Sequence, residues 1–269
     1  MKFAISNIVW GAEADKAIYQ VMKNLSFNGL EVAPTRVIPE NPYDHLSYAK
    51  VWKDKMKKDY NFSIPSMQSI WYGKQEKIFG TDEERSILLD YTKKAIDFAA
   101  AIGCRNMVFG CPRNRNVPDM MNFQQAEKIA ISFFKELGDY AFEKGTIISM
   151  EANPPIYNTN FINNTASAIE LVKAVASEGF KVNLDVGTMI ENGESILRLK
   201  NEISLINHVH ISEPGLKPIV KRRLHGELID LLNDEKYEGY ISIEMGKQDD
   251  VKCIEDTMIY VRDLVSDLR

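Results

Sequence analysis

Cysteine is scarce in this chain of 269 residues. Only Cys104, Cys111 and Cys253 occur, an odd number, far apart, with no CxxC spacing and no flanking histidine. That argues against a disulfide framework and a thiolate metal site, fits a reducing cytoplasm, and leaves the three as small buried core residues. Long apolar runs are also missing: nowhere do about eighteen apolar residues follow one another, so no membrane-spanning helix is expected. The opening stretch MKFAISNIVWGAEAD is broken by Ser6 and Asn7 and runs at once into acids, unlike a secretory signal. Basic charge is not in excess. The 33 Lys and Arg are scattered among 38 Asp and Glu, a net charge of −5, and form no stripe to neutralise a phosphate backbone, which argues against nucleic acid as a partner. No GxGxxG follows the first apolar segment and no GxxxxGK occurs anywhere, so nucleotide-binding loops are absent too.

What the chain does contain is an alternation that runs from end to end. Segments of strand character at 2–8, 29–34, 62–70, 106–111, 146–153, 181–187, 206–212 and 240–245 are separated by amphipathic segments with helical spacing. In NFQQAEKIAISFFKELGDYAFEKG, Ala126, Ile129, Ala130, Phe133, Leu137, Tyr140 and Ala141 share a face. Asn122 and Gln125 are placed to cap each other's backbone at its start, and Gly145 ends it. Thr81 and Glu84 repeat the cap ahead of the preceding helix, with Gly103 as its stop. Eight strands each followed by a helix allow an open doubly wound sheet or a closed barrel, and without a nucleotide-binding loop the barrel is favoured. The expected fold is α/β, a single (β/α)8 TIM barrel over 1–269 as one domain, with its longest irregular region at 33–44.

Side chains alternate across a strand, so the phase of the late strands can be read directly. Ser149, Glu151 and Asn153 oppose Ile148 and Met150; Asn183 and Asp185 oppose Val182 and Leu184; His208 and His210 oppose Val209 and Ile211; Ser242 and Glu244 oppose Ile241 and Ile243. The apolar face packs on helices and the polar face points into the barrel. Glu151, Asp185, His210 and Glu244 fall near the carboxyl ends of their strands, at spacings of 34, 25 and 34 residues, about one strand and helix each. Barrel enzymes assemble their sites at that end. A single acid there reads equally well as a helix cap or a surface ion pair. Three carboxylates and an imidazole in matching phase on consecutive strands would repel one another and lose hydration, a conflict that a divalent cation resolves. Oxygen-rich ligation with one nitrogen suits Mn²⁺ first, with Mg²⁺, Co²⁺ and Zn²⁺ also admitted.

At these residues the chain resembles the xylose isomerase-like TIM-barrel superfamily. Within it, the chain is similar to the sugar phosphate isomerase/epimerase group that includes ketose 3-epimerases, hydroxypyruvate isomerase and inosose dehydratase. The matching motifs are SMEANPPIYNTNFINNTASAIELVKAV (149–175), VNLDVGTM (182–189), HVHISEP (208–214) and ISIEM (241–245). The N-terminal half matches only in its rhythm of strands and helices. The resemblance implies that Glu151, Asp185, His210 and Glu244 bind one divalent metal and that Glu151 and Glu244 are the catalytic acid and base on the two faces of a substrate.

Two departures fall among the substrate contacts. The family commonly reads D-x-G-H where this chain has Asp185-Val186-Gly187-Thr188, so Thr188 takes the substrate-binding place with a hydroxyl that cannot carry charge. The epimerases also supply an Arg shortly after the strand-seven His. Here the nearest candidates are Lys217, Arg222 and Arg223; Lys217, the first, lacks the bidentate fork. Asn153, one inward step beyond Glu151, is a further candidate for sugar hydroxyls. Trp10 and Trp71 are placed to line the mouth or to pack at its rim. His208 reads as a barrel-core histidine, His45 and His225 as surface residues, and Met56, Met67, Met120 and Met121 as core; Glu31 and Gln68, isolated polar residues near strand ends, fall outside the site.

The expected function is a cytoplasmic, metal-dependent isomerase or epimerase of a small carbohydrate or keto-polyol. A lyase dehydrating a keto-polyol and a non-catalytic metal-retaining sugar-binding barrel are alternatives on the same residues. An endonuclease IV-like phosphodiesterase shares the barrel but needs histidines on early strands, where His45 stands alone. A homo-oligomer is compatible with the sequence.

Overall fold

Polar residues just ahead of apolar runs start the helices. Thr81 with Glu84, Asn122 with Gln125 and Asn164 with Ser167 each exchange side-chain and backbone hydrogen bonds across the first helical turn. Gly103 and Gly145 then turn the chain toward the next strand at φ of 70° and 75°, in the left-handed region that a side chain disfavours. In the computed structural model, which describes residues 1–266, the elements follow in the order β1 (Lys2–Ser6), α1 (Asp15–Asn24), β2 (Gly29–Glu31), α2 (Pro34–Val37), α3 (Leu46–Tyr60), β3 (Ser66–Met67), α4 (Asp82–Ile102), β4 (Asn106–Phe109), α5 (Phe123–Glu143), β5 (Ile148–Glu151), α6 (Thr165–Val175), β6 (Phe180–Asp185), α7 (Val186–Asn192), β7 (Ile206–Ile211), α8 (Arg223–Asp234), β8 (Tyr240–Ile243) and α9 (Val251–Ser266).

All strand pairs are parallel, in the order β2-β1-β8-β7-β6-β5-β4-β3. Isolated bridges from Gly29 to Ser63 and from Val32 to Met67 join the two ends, and the sheet becomes a nearly closed (β/α)8 barrel. Outward residues such as Met150, Leu184, Val209 and Ile241 are fully buried between strands and helices. Phe134 of α5 stacks on Phe180 of β6 at 4.8 Å. The approach of α5 to the start of β6 demands glycine: a Cβ on Gly179 would sit 2.0 Å from the Gly138 carbonyl oxygen. Within the barrel three inward polar residues are linked in a chain, Ser149 Oγ donating to Asn106 Oδ1 at 2.5 Å and Asn106 Nδ2 to Ser66 Oγ at 2.9 Å.

Several sequence expectations are corrected. The third strand shrinks from 62–70 to two residues, because Pro65 has no N–H to give a ladder and Ser69 turns at φ 56°. The irregular 33–44 holds α2, started by Pro34 at its first turn, and a 3₁₀ turn at Pro42–Asp44. The sixth strand ends at Asp185, which caps α7, so Val186 and Gly187 are helical. His225 is wholly buried, its Nδ1 2.8 Å from the Tyr260 hydroxyl. Met120 is exposed, and Cys111 and Cys253 are only partly buried, while Cys104 is in the core. Among the described residues no helix is long and apolar enough to cross a membrane.

Candidate metal centre

Strand register brings the expected residues together. Asp185 lies level with His210 across β6 and β7, and His210 with Ser242 of β8. Glu151 ends β5, and Glu244 follows β8, its backbone N–H donating to the Ile211 carbonyl. One ligand atom from each of Glu151, Asp185, His210 and Glu244 lies within 4.8 Å of every other. His210 Nδ1 is 3.2 Å from Glu151 Oε1 and 3.1 Å from Glu244 Oε2. The three carboxylates also line a cavity of about 190 Å³, open at the carboxyl end of the barrel, together with Asn153, Tyr157 and Glu213.

Asp185 and Glu151 are each held by hydrogen-bond donors. Asp185 Oδ2 accepts from the Thr188 backbone N–H at 2.8 Å, and the Thr188 hydroxyl stands 2.8 Å from the same oxygen; Asp185 Oδ1 accepts from the Ser212 hydroxyl. Glu151 accepts from Asn183 Nδ2 at 2.8 Å and from Asn153 Nδ2 at 3.1 Å. The amide of Asn153 is itself oriented by Arg115, a fully buried guanidinium that donates to Asn153 Oδ1 at 2.8 Å and to the Glu151 carbonyl at 2.9 Å. Burial pulls Arg115 down to about 10, which leaves it charged at neutral pH.

The charges do not balance. Burial, with Glu151 beside it, raises the Asp185 carboxyl, and burial raises that of Glu244 to about 7 against the pull of His210. Burial opposes a charge on His210, yet Glu244 and Glu31 hold it protonated well above its ordinary value. One imidazolium thus stands in for a larger positive charge among three acids. Asn183 Oδ1, buried beside them, has no partner among the described residues. Three carboxylates, one imidazole and no thiolate make a donor set that fits a divalent ion of the Mn²⁺ or Mg²⁺ kind.

The remaining expectations divide. Asn153 lines the cavity. Thr188, expected to meet substrate, is almost wholly buried; its hydroxyl lies between Asp185 and the Ala152 carbonyl, 2.8 Å from each, where it orients a candidate ligand. Lys217 is exposed and outside the cavity lining, because the chain swings outward after Leu216. Arg222 is engaged with both carboxylate oxygens of Glu213 at 2.7 and 2.6 Å, and Arg223 pairs with Glu227 on the surface. Trp10 and Trp71 are buried, donating to Asp15 and Thr92 rather than facing the cavity.

Sequence reasoning missed Glu31, Gln68 and Arg115. Glu31 has no exposed surface, and its Oε2 lies 3.0 Å from His210 Nε2. The same oxygen is 3.0 Å from His208 Nε2, without the alignment of a hydrogen bond. Full burial works against its charge, but His210 and His208 keep its carboxyl well below the usual range. An acid inside the apolar run GLEVA is the same signal that drew attention to Asp185. Arg115, in the loop CPRNRN, carries no such signal.

Carboxylates and an imidazole converging where the strands of a (β/α)8 barrel end define a class: barrels able to hold a cation at the catalytic face. The chain belongs to the xylose isomerase-like TIM barrel family, whose model matches residues 19–263. Comparison with curated protein sequences gives no significant match. Among solved structures the chain is similar to 3-keto-D-glucoside 4-epimerase from E. coli, at 18% identity and a TM-score of 0.77 over 98% of this chain and 99% of that one. It is similar to D-psicose 3-epimerase from Clostridium cellulolyticum H10, crystallised with D-tagatose, at 16% identity and 0.79 over 99% and 98%. A family 2 AP endonuclease from Brucella melitensis matches at 17% and 0.74 over 97% and 98%. At such identities the likeness is one of fold.

Proposed function

We propose that this protein is a divalent-metal-dependent isomerase or epimerase of a small, uncharged carbohydrate or keto-polyol. The observation that carries the reading is the placement of Glu151 and Glu244: they come from strand ends separated by β6 and β7, stand 3.2 and 3.1 Å from the same imidazole nitrogen, and line one cavity. Two carboxylates approaching one small cavity from different staves can remove a proton from carbon and return one from another side. Asn153, fixed by Arg115, holds Glu151 in place, and Thr188 and Ser212 hold Asp185. Glu151, Asp185, His210 and Glu244 would hold the ion, with Mn²⁺ the best match to oxygen-rich ligation. When bound, it supplies Lewis-acid polarisation of a carbonyl, which acidifies the adjacent C–H. None of the described residues lining the cavity is Lys or Arg, and Glu213 adds an acid at its wall, so the lining favours a substrate without phosphate or carboxylate. The epimerases among the structural neighbours support the same reading.

The test is proton exchange. Protein loaded with Mn²⁺ and incubated with a panel of ketoses and keto-polyols in D₂O is expected to place deuterium next to the carbonyl, and Glu151→Gln and Glu244→Gln are each expected to abolish it. Product analysis separates epimerisation from dehydration. A metal-loaded protein that gives neither exchange nor product across the panel sinks the reading.

A further inference from the structure

We propose that Glu31, at the end of β2, is a positioning residue that fixes the tautomer of His210 and so turns Nδ1 into a cation ligand. The proposal rests on the reading of Glu151, Asp185, His210 and Glu244 as a metal cage.

A neutral imidazole carries one proton, on Nδ1 or on Nε2, and the hydrogen bond made by one nitrogen decides the state of the other. His210 Nε2 lies 3.0 Å from Glu31 Oε2. A carboxylate only accepts, so Nε2 keeps its proton. Without an ion, Glu151 Oε1 and Glu244 Oε2, 3.2 and 3.1 Å from Nδ1, hold a second proton on that nitrogen, and it is this one that a cation in the cage would displace, leaving the Nδ1 lone pair as ligand. Glu31 is held in turn: Gln68 Nε2 donates to its other oxygen at 3.0 Å and to Ser6 Oγ at 2.6 Å. A carboxylate with no exposed surface, tied to β1 and to the segment after β3, gives the ring a fixed acceptor that water cannot replace. The arrangement is that of a ligating histidine whose far nitrogen is anchored on a carboxylate, which also makes the near nitrogen a better donor to the ion. Glu31, His208 and His210 are themselves close enough to be considered an inner ion site. That use would take Nε2 away from its proton and leave one imidazole bridging two ions, with no side chain of the three more than 1% exposed to admit the second.

The measurements are metal stoichiometry and affinity by calorimetry with Mn²⁺, and imidazole ¹⁵N spectra of the Zn²⁺-loaded protein. Wild type is expected to take one ion per chain and to show the His210 proton on Nε2. Glu31→Gln is expected to bind Mn²⁺ about 10- to 100-fold more weakly with the circular dichroism of the metal-free protein unchanged, and Glu31→Asp, which keeps the charge, to recover part of the loss. Equal affinity in Glu31→Gln, a His210 proton on Nδ1 in the loaded wild type, or two ions per chain would each overturn the assignment. The wild-type spectrum and stoichiometry decide it even where a variant does not fold. A wild type that takes up neither ion overturns the cage itself, a result distinct from those three.

Discussion

Glu244 shows how a single side chain can cost stability in order to serve a site. Its carboxyl is raised by burial to about 7, so the metal-free fold resists its ionisation. An acid whose folded pKa lies above its unfolded value costs nothing below about 4.5, and the cost grows as pH rises until the folded value is passed. At pH 8 the metal-free Glu244→Gln variant is therefore expected to be more stable than wild type, by up to about 3 kcal/mol, while losing most of the stabilisation that Mn²⁺ gives. Thermal melts with and without chelator read both; a less stable metal-free variant refutes the argument. Gly110 leaves room for the carboxylate of Glu151. A Cβ there would lie 2.8 Å from Glu151 Oε2 and 3.5 Å from Asn153 Oδ1, so Gly110→Ala presses on the proposed base. Its kcat/KM on any substrate found is expected to fall about 10- to 100-fold with little change in melting temperature. Unchanged turnover would show that Glu151 has room to move.

Among the elements, helix starts were the most legible from sequence, because a cap and its partner lie three residues apart and need nothing else. The Thr81 and Asn122 boxes form as read. β3 was illegible for the opposite reason: its apolar pattern spans 62–70, but Pro65 and the turn at Ser69 leave two residues in the ladder. The packing of α8 on α9 hides a titration that the sequence does not advertise. His225 is buried against Tyr260, and burial pulls its pKa down to about 4. A histidine whose folded pKa is below the unfolded value of about 6.5 leaves the folded state short of a proton, so its contribution is full above pH 6.5 and is lost as pH falls toward 4. That loss is on the order of 3 kcal/mol for the complete window. Melting curves from pH 7 to pH 4 are expected to fall more steeply for wild type than for His225→Gln, and parallel curves would assign the acid sensitivity elsewhere.

For the whole molecule, barrel closure concentrates acid at one mouth. Glu151, Asp185, Glu213 and Glu244 all line the cavity, and the basic residues that follow β7 are spent elsewhere, Arg222 on Glu213 and Lys217 in solvent. Among the described residues that line this cavity no Lys or Arg is placed to receive a phosphate. Free ketoses are expected to be preferred over their phosphate esters by about 100-fold or more in kcat/KM, since like charge in a confined site costs several kcal/mol. A phosphate ester turned over as well as its free sugar contradicts this account of the lining.

The sequence by itself determined the rhythm of strands and helices, the caps, and the four inward residues at the late strand ends, since alternation and capping are local and survive without knowledge of neighbours. Only the tertiary structure decided which polar ends meet. Closure sets β2 and β8 on either side of β1, and brings Glu31 beneath His210 from 179 residues away. The turn into α7 points the Thr188 hydroxyl back at Asp185 instead of into the cavity, and the loop after β7 carries Lys217 outward. Those outcomes depend on strand stagger and loop path, which no spacing along the chain encodes.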